Sequence, residues 1–528
     1  MGSRSLMCIT AMTLFAALAI QVRPRLAAQE QQQQEQNKEH TRYKLVDLGT
    51  FGGPSSYLNT LADGGFFSIA KVLNRHRIIA GWADTSTRDP FPSFCFFDCF
   101  VSHAFHWQDG LLTDLGTLAD GWSSAATWIN DTGKIVGFSQ NGVIDPLIGF
   151  PETRAVLWRN GQIMDLGTLG GNQSAAFGVN NHGQVAGLAL NTIPDPFSIY
   201  DLLLYGSSNG TQTRAVLWDK NGGMLDLGSL GGPDAYALLV NEHGQATGWS
   251  YTNSTPNPTT GLPTFHPFLW EKGKGMRDLG TLGGTVAQAV NGLNERGEVV
   301  GSTTLAGDLT HHAFLWDGKN PIDLGTLGGE NAEADWVNDA EEVVGIAQYT
   351  VSCPNGLGGA HAFLWKNGVM KDLGTTDGLA NSEAVFINSR AQVVGYSFTC
   401  DFSVIDAFLW EKGSIVDLNT LISPKSTLQL AIATYIDDRG EITALGVLPS
   451  GNVHAVLLTP CGEGDDGCEG ENPAGVTQNS PAPAIQHPTT ATPAKPALSD
   501  GPSGMPGRLR SRWGQRYRIP GPGTGPTN

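Results

Sequence analysis

Residues 161–187 read Gly-Gln-Ile-Met-Asp-Leu-Gly-Thr-Leu-Gly-Gly-Asn-Gln-Ser-Ala-Ala-Phe-Gly-Val-Asn-Asn-His-Gly-Gln-Val-Ala-Gly. The stretch holds three short β-prone segments separated by turn residues, and a fourth, Arg214-Ala-Val-Leu-Trp218, follows. Asn180-Asn-His-Gly183 places glycine where a type I turn with a bulge needs a positive φ. The stretch therefore predicts antiparallel strands joined by hairpins.

Three boxes from this stretch recur eight times along the chain, always in the same order. The first is Asp-Leu-Gly, at Asp47, Asp114, Asp165, Asp226, Asp278, Asp323 and Asp372, with Asp-Leu-Asn at Asp417. The second is an asparagine before a Val-Val-Gly-like strand, at Asn74, Asn130, Asn180, Asn241, Asn294, Asn338 and Asn388, with Asp437 last. The third is His-Ala-Phe-Leu-Trp at His312 and His361, whose variants end at Trp107, Trp158, Trp218, Trp270 and Trp410, with His454–Leu458 last. Four short strands per unit predict an all-β fold, a β-propeller of about eight four-stranded blades, with seven as the alternative.

The order of the boxes also predicts how the ring closes. Each third-box strand turns tightly into the next Asp-Leu-Gly strand, as at Asn160-Gly161 and Asn367-Gly368, which are signals for two-residue type I′ turns. Those two strands share a blade, so the last blade lacks its outer strand unless Tyr43–Gly49 supplies it. We expect Asp47 to lie beside Val456, because such pairing removes the open edges of the ring.

Composition agrees with this fold class and excludes others. Glycine contributes 68 of 528 residues without a three-residue period, which excludes collagen. Strong helix formers are scarce, which argues against a mostly helical protein. The formal net charge is −18. Nucleic acid requires clustered lysine and arginine, so no nucleic-acid partner is expected.

The N-terminus resembles a secretory signal peptide. Arg4 precedes the apolar run Leu6–Ile20, and cleavage after Ala28 is expected. A membrane anchor is the alternative, but the run is short for a span, and no span is expected in the mature chain. The protein is therefore expected to be secreted, extracellular or at the cell surface, with the periplasm as the alternative. Four segments result: 1–28 signal peptide, 29–42 polar Gln-rich linker, 43–460 repeat propeller, and 461–528 Pro- and Gly-rich tail, expected to be disordered.

Six cysteines follow the signal segment, an even number that fits disulfides in an exported chain. Their spacing suggests three pairs: Cys95 with Cys99, Cys353 with Cys400, and Cys461 with Cys468. The first pair is alternatively a metal site, but no His–Cys cluster joins it, and no metal is expected. Gly462–Asn472 is acidic enough to bind Ca²⁺ weakly but lacks EF-hand spacing, so a short disulfide loop is favoured and no cofactor is expected.

The boxes resemble those of the HAF family of probable extracellular repeat proteins of bacteria, named for the His-Ala-Phe core. The resemblance covers roughly residues 43–460. It implies secretion and a repeat scaffold, and it implies no catalytic residues, because the family has no well-defined activity. This chain departs from the pattern at Asn419, which replaces Gly, at Asp406, which replaces His, and by an insertion of about a dozen residues between Gly53 and Asn74.

The histidine and aspartate of the boxes resemble acid–base pairs, but we interpret them as structural. In the predicted hairpin register Trp158 faces Ile163, Val156 faces Asp165, and Arg154 lies diagonally beside Asp165. The same register places His361 beside Asp372. A bond repeated in most blades is structural, because an active site is needed only once. Asp406 opposite Asp417 breaks the pattern, so that blade is predicted to be the weakest, and the box tryptophans are predicted to be core residues between blades.

The connections before the third box are long in units one to four, and the best functional lead lies there. They are rich in aromatic and turn residues, as in Asp89–Phe100, Asp145–Leu147 and Asp195–Tyr200. Strand parity puts them together on one face, and loops on a rigid scaffold often carry binding sites. The alternative is that they fold over one another as a lid. The candidate ligand-binding residues are Phe91, Phe94, Phe96, Phe97, Phe100, Phe197, Tyr200 and Tyr205.

The sequence therefore predicts a binding or interaction scaffold for an extracellular carbohydrate, peptide or protein. Propellers also host hydrolases and lyases, so an enzyme acting on polysaccharide is one alternative. The enzyme would be favoured by a single polar residue that has no match in the other units and that points into the central channel of the propeller from the first strand of its blade. A structural surface protein is the other alternative. No His-Glu-x-x-His motif is present, and no catalytic residue is assigned.

Overall fold

The computed structural model describes residues 40–58, 71–91, 99–201, 209–258, 261–353, 358–376 and 378–462, together with Cys468. Strands dominate these residues and follow one another in groups of four. The first strand, β1, spans Tyr43–Asp47. We number the groups after it as blades 1 to 8.

The first four blades have the following strands. Blade 1 contains β2 (Gly52–Tyr57), β3 (Ile79–Arg88), β4 (Phe100–Gln108) and β5 (Leu111–Asp114). Blade 2 contains β6 (Ser124–Ile129), β7 (Ile135–Ile144), β8 (Pro151–Arg159) and β9 (Gln162–Asp165). Blade 3 contains β10 (Ser174–Val179), β11 (Val185–Pro194), β12 (Thr211–Trp218) and β13 (Met224–Asp226). Blade 4 contains β14 (Ala235–Val240), β15 (Ala246–Pro256), β16 (Pro263–Glu271) and β17 (Gly275–Asp278).

The second four blades repeat the plan. Blade 5 contains β18 (Gly283–Leu293), β19 (Val299–Leu305), β20 (His311–Trp316) and β21 (Pro321–Gly325). Blade 6 contains β22 (Gly328–Val337), β23 (Val343–Ser352), β24 (Gly358–Lys366) and β25 (Val369–Gly374). Blade 7 contains β26 (Asn381–Ile387), β27 (Val393–Phe398), β28 (Ile405–Glu411) and β29 (Ser414–Asp417), followed by a 3-10 turn at Leu418–Thr420. Blade 8 contains β30 (Gln429–Ile436), β31 (Ile442–Val447) and β32 (Val453–Pro460).

Each blade is an antiparallel sheet in chain order, and blades 4 and 5 are joined by one parallel pair, Phe265 with Val286. Blade 8 takes its fourth strand from the other end of the chain, because β1 pairs with β32. Asp47 lies opposite Val456, as predicted. The β-propeller prediction is confirmed, and the eight groups give eight blades over the described residues.

The turns follow the sequence signals. Gly183 has φ +80° and its N–H donates to the Asn180 carbonyl at 3.0 Å. Asn160 and Gly161 have φ values of +52° and +73°, as a type I′ turn requires. Strand parity then separates two faces. We call the ends that carry the Asn turns the turn face, and the ends that carry the connections between second and third strands the loop face.

Blade 1 departs from the plan within its innermost strand. β2 ends at Tyr57, and the strand resumes where Leu73 bridges Ile79 and the Ala80 N–H donates to the Val72 carbonyl. The predicted insertion accounts for this interruption, and residues 59–70 lie outside the described residues.

The box tryptophans are buried, as predicted. Their exposed fractions are 8% or less. The Trp218 indole N–H donates to the Leu166 carbonyl of the preceding blade at 2.7 Å, and Trp158 bonds Leu115 in the same way at 3.0 Å. Each indole therefore joins two blades through its polar edge as well as through its apolar face.

Disulfides link Cys353 with Cys400 and Cys461 with Cys468, as predicted. The first joins the end of β23 in blade 6 to the end of β27 in blade 7. Cys99 is disulfide-bonded, and Cys95 lies outside the described residues. In the part of the chain that is described, no helix has both the length and the apolar character needed to span a bilayer.

Candidate functional site

The predicted pairs between the third box and Asp-Leu-Gly form in seven blades. His361 Nδ1 lies 2.9 Å from Asp372 Oδ2, and Arg154 Nε lies 3.4 Å from Asp165 Oδ2. Val156 opposes Asp165, which is the predicted register. The other pairs are His103–Asp114, Arg214–Asp226, His266–Asp278, His312–Asp323 and His454–Asp47.

These pairs stabilise the turn at which the chain leaves the fourth strand of each blade. Burial alone raises the pKa of the Asp372 carboxyl, but hydrogen bonds from His361 and from the Gly374 N–H outweigh it and lower that pKa. Asp47, Asp114 and Asp278 show the same balance. A carboxylate that is bonded to its own turn and to the neighbouring strand is a structural clamp, which favours the structural interpretation.

Blade 7 replaces the clamp with amides. Asp406 is fully buried and accepts a hydrogen bond from Gln429 Nε2 at 2.9 Å. Asp417 accepts one from Asn419 Nδ2 at 2.9 Å, and the same amide bonds the Leu430 carbonyl. The two departures from the repeat are therefore coupled, since Asn419 supplies the donor that the absent histidine would give. The low stability of this blade stays a prediction.

The long connections of blades 1 to 4 share one turn design on the loop face. In the first three, an Asp-Pro pair ends the second strand, and the Asp carboxylate accepts the N–H of the residue after proline. The three bonds are Asp89 with Phe91 at 2.7 Å, Asp145 with Leu147 at 2.8 Å, and Asp195 with Phe197 at 2.9 Å. Asn257-Pro258 occupies the same place in blade 4, where the Asn257 N–H donates to the Leu262 carbonyl.

Of the predicted aromatic residues, the structure describes Phe91, Phe100, Phe197 and Tyr200. The Phe91 ring packs edge-on against Trp122 at 5.0 Å, and the Arg88 guanidinium lies 4.0 Å over Phe100. Tyr200 is only 3% exposed, and Phe197 packs against the core. Phe94, Phe96, Phe97 and Tyr205 lie outside the described residues.

Several apolar side chains outside the predicted aromatic set are exposed in these connections. Val143, Ile144 and Leu147 of blade 2 are 51%, 42% and 41% exposed. Ile193, in the corresponding strand of blade 3, is 53% exposed. The two hairpins belong to neighbouring blades of the ring. The signal was present in the sequence as Val143-Ile144 before Asp145 and as Ile193-Pro194 before Asp195.

A buried carboxyl pair lies beneath the blade 3 connection. Asp234 is fully buried and accepts hydrogen bonds from the Ile199 and Thr213 N–H groups. Burial raises its pKa well above the usual range, and the charge of Asp195 raises it further. Tyr251, whose pKa is also raised by burial and by both carboxyls, is the titratable neighbour. Folding therefore favours the protonated form of Asp234.

This pair predicts stability that falls as the pH rises. The raised pKa of Asp234 contributes fully below the carboxyl's ordinary pKa of about 4, and the contribution is lost as the pH rises toward the folded value. Asp195→Asn keeps an oxygen for the Phe197 N–H and offers an amide donor to Asp234. We expect its midpoint of thermal unfolding at pH 8 to rise by roughly 2–6 °C. The gain should vanish near pH 4. An equal gain at both pH values would contradict this account, and exposed Glu330→Gln is the charge-matched control.

Asparagine side chains form a ring around the turn face. Each Asn of the second box donates from Nδ2 to the backbone carbonyl of the same residue in the next blade, at 2.8–3.1 Å. Its Oδ1 accepts N–H groups of its own turn, as Asn241 does from His243 and Gln245. The sequence predicts these residues as turn formers and gives no sign of the contact between blades.

Blade 8 closes this ring with a different pair of residues. Asp437 has no side-chain N–H to donate, and Arg439 provides the donors instead. Arg439 Nε binds the Asp437 carboxylate at 2.8 Å, and its terminal nitrogens donate to the carbonyls of Asn74 and Arg75. Asp437 and Arg439 therefore act together as a substitute for the asparagine.

The ring surrounds a depression at the turn-face end of the channel, which we call the channel mouth. It comprises two cavities of about 390 and 200 Å³ that share the residues Lys71, Leu293, Glu295, Trp336, Phe386 and Tyr435. Trp128 completes an aromatic floor. The distance between ring centroids is 6.4 Å for Trp128 and Trp336, 4.8 Å for Trp336 and Phe386, and 4.4 Å for Phe386 and Tyr435. The residue that follows each Asn forms the rim.

Polar residues also occur on first strands, in blades 5 and 6. Asn291 Nδ2 donates to Glu333 Oε1 at 3.0 Å and lies 3.3 Å from Asp335 Oδ1. Both carboxyl residues are 3% exposed, and neither lines the channel mouth. The arrangement is a hydrogen-bonded link between two blades.

Comparisons with known proteins identify no family. No protein-family model matches the chain, and no curated protein is similar to it in sequence. Solved structures similar to it include the β-propeller domain of the Trilobed protease from Pyrococcus furiosus, at 9% identity and a TM-score of 0.38, covering 67% of this chain and 97% of that one. A Mycobacterium tuberculosis puromycin-hydrolyzing peptidase gives 11% identity and a TM-score of 0.40, covering 76% of this chain and 61% of that one.

TolB from Acinetobacter baumannii gives 10% identity and a TM-score of 0.27, covering 47% of this chain and 60% of that one. This chain therefore spans about three fifths of the length of the peptidase and of TolB. Similarities at these TM-scores carry no argument about activity. The propeller architecture rests on the strand pairing described above.

Proposed function

We propose that this protein is a secreted β-propeller that binds an extracellular ligand, a carbohydrate, peptide or protein, through the loop face of blades 1 to 4. The observation that carries the proposal is the shared design of the four long hairpins. Each extends its strand pair beyond the sheet and ends in a turn fixed by Asp or Asn before proline. Turns held in this way present side chains with little loss of conformational entropy on binding.

The exposed apolar residues give this surface an anchor. Val143, Ile144 and Leu147 project from one hairpin, with Ile193 on its neighbour. Clusters of exposed apolar residues mark interaction sites more often than isolated ones do. Asn141 Nδ2 binds Glu152 at 2.9 Å within the blade 2 hairpin, which keeps the two strands of that hairpin together.

Secretion and membership of the HAF repeat proteins belong to the same proposal. Two disulfides among the described residues support an oxidising compartment. The repeated His–Asp clamps support the family resemblance, because they give the His-Ala-Phe box a structural reason to recur.

A binding screen tests the proposal. The full chain is applied to glycan and protein arrays, and each ligand is retested with the triple variant Val143→Thr, Ile144→Thr and Leu147→Ser. We expect at least about a ten-fold loss of affinity, as for removal of an apolar anchor. The control is Leu111→Ser, which removes an equally apolar residue, 67% exposed, from an outer turn on the turn face. Unchanged binding by the triple variant would refute the role of this surface.

A further inference from the structure

The rim of the channel mouth is rich in carboxylates. The residues that line its two cavities include six carboxylates and three basic side chains, a formal net charge of −3. Two of the carboxylates are paired with lysine or arginine: Asp131 lies 2.8 Å from Lys71, and Asp437 binds Arg439. The other four are Glu242, which lies 4.0 Å from His182 Nε2, Glu295, Asp339 and Asp438.

Backbone groups hold these four carboxylates in place. The Glu242 N–H donates to Glu295 at 2.9 Å, and the Glu295 N–H donates to Asp339 at 2.9 Å. Glu242, Glu295 and Asp339 thus follow one another around blades 4 to 6. Burial raises the pKa of Glu295, and repulsion from Glu242 and Asp339 adds to the effect. A cation placed among them would relieve this repulsion.

One residue of the aromatic floor also carries a hydroxyl group. Tyr435 lines both cavities and is 8% exposed, and its phenol oxygen makes no hydrogen bond within the described residues. The nearby groups that act on it electrostatically include Asp131, Asp437 and Asp438. Its phenol oxygen is not among the fully enclosed polar atoms that lack a partner, so a ligand that enters the mouth can reach it.

The floor determines which cation fits. Trp128, Trp336, Phe386 and Tyr435 line the mouth, and aromatic rings attract weakly hydrated organic cations. A strongly hydrated metal ion would lose water to rings that offer it few oxygen ligands. The volume of about 390 Å³ lies within the range of small-molecule sites.

We propose that the channel mouth is a binding site for an organic ammonium cation, held by the Glu242–Glu295–Asp339 carboxylates over the aromatic floor. Tyr435 is the hydroxyl partner for a polar group on the same ligand. The site lies on the turn face, opposite the hairpins of the proposed function, and stands or falls independently of them.

A ligand-observed NMR titration of the full chain tests the site, with choline as the probe and 3,3-dimethylbutan-1-ol as its neutral isostere. Choline should bind, and the isostere at least about ten-fold more weakly, because it lacks the charge that rings and carboxylates attract. Glu295→Gln keeps an oxygen acceptor for the Glu242 N–H and should weaken choline binding about five-fold or more. Tyr435→Phe should weaken choline more than tetramethylammonium, which has no hydroxyl.

Two controls keep the result interpretable. Glu330→Gln removes the same charge from an exposed site on the opposite face and should leave choline binding unchanged. Thermal unfolding of each variant shows whether the fold is intact. Equal binding of choline and its isostere, no binding of either, or unchanged binding in a folded Glu295→Gln variant would each overturn the proposal. None of these results bears on the triple variant of the loop face.

Discussion

A chain that begins at Leu48, and so lacks β1, should lose roughly 4 kcal/mol or more of its free energy of unfolding. Tyr43 is 2% exposed, and full burial of one large side chain contributes about 1.5–3 kcal/mol. The half-buried Leu45 and Val46 add to this, and the pairing with β32 from Tyr43 to Asp47 is lost. The exposed edge of β32 should also promote association between chains.

Chemical denaturation and light scattering measure these two effects. The matched control begins at residue 39, which keeps His40 and its contacts with Glu411 and Ser414. A synthetic peptide of residues 40–48 added to the shortened chain should restore part of the lost stability. If the shortened chain unfolds at the same denaturant concentration as the control, β1 does not close the ring in solution.

The second large effect concerns the asparagine ring. Asn241→Asp removes the N–H donor that binds the Asn294 carbonyl at 3.0 Å and leaves a carboxylate against that carbonyl. Asn241 is 4% exposed, and a buried polar group left without its partner costs about 1–3 kcal/mol, more when it is charged. We therefore expect a loss of about 2–4 kcal/mol in the free energy of unfolding.

Blade 8 supplies a rescue for this variant. Arg439 stands two residues after Asp437, and His243 stands two residues after Asn241. Adding His243→Arg to Asn241→Asp should recover more than half of the loss, because the guanidinium can bind the new carboxylate and the next carbonyl. His243→Arg alone is the control for the added charge. A double variant no more stable than Asn241→Asp would show that the blade 8 arrangement does not transfer.

The fold could be predicted in detail because each local signal recurs in several repeats, so that one copy confirms another. The Asp47–Val456 pairing and the Arg154–Asp165 contact follow from strand order and hairpin register, which short-range rules determine. Contacts between blades were harder, because the partner of Asn180 is a backbone carbonyl 61 residues away. A sequence pattern identifies side chains. A backbone carbonyl can belong to any residue type, so the sequence gives no sign that it accepts a hydrogen bond.

In the candidate sites, too, local features could be predicted from the sequence and long-range contacts could not. The long connections were visible as breaks in the repeat, whereas the burial of Tyr200 depends on how the connection packs against the core. The channel mouth is formed by positions two before and one after each Asn, as with Trp336 and Asp339 around Asn338. Those positions vary between repeats, so the repeated boxes do not reveal them.

The pairing of Tyr43 with Pro460 has a consequence for how the molecule could be displayed. β1 runs from the turn face to the loop face and β32 runs back, so both ends of the ring emerge side by side at the outer edge of blade 8 on the turn face. A tether attached at either terminus would hold the ring by this single corner. The four long hairpins would then point away from the anchoring surface. With only one attachment point, the ring would be free to change its orientation relative to that surface.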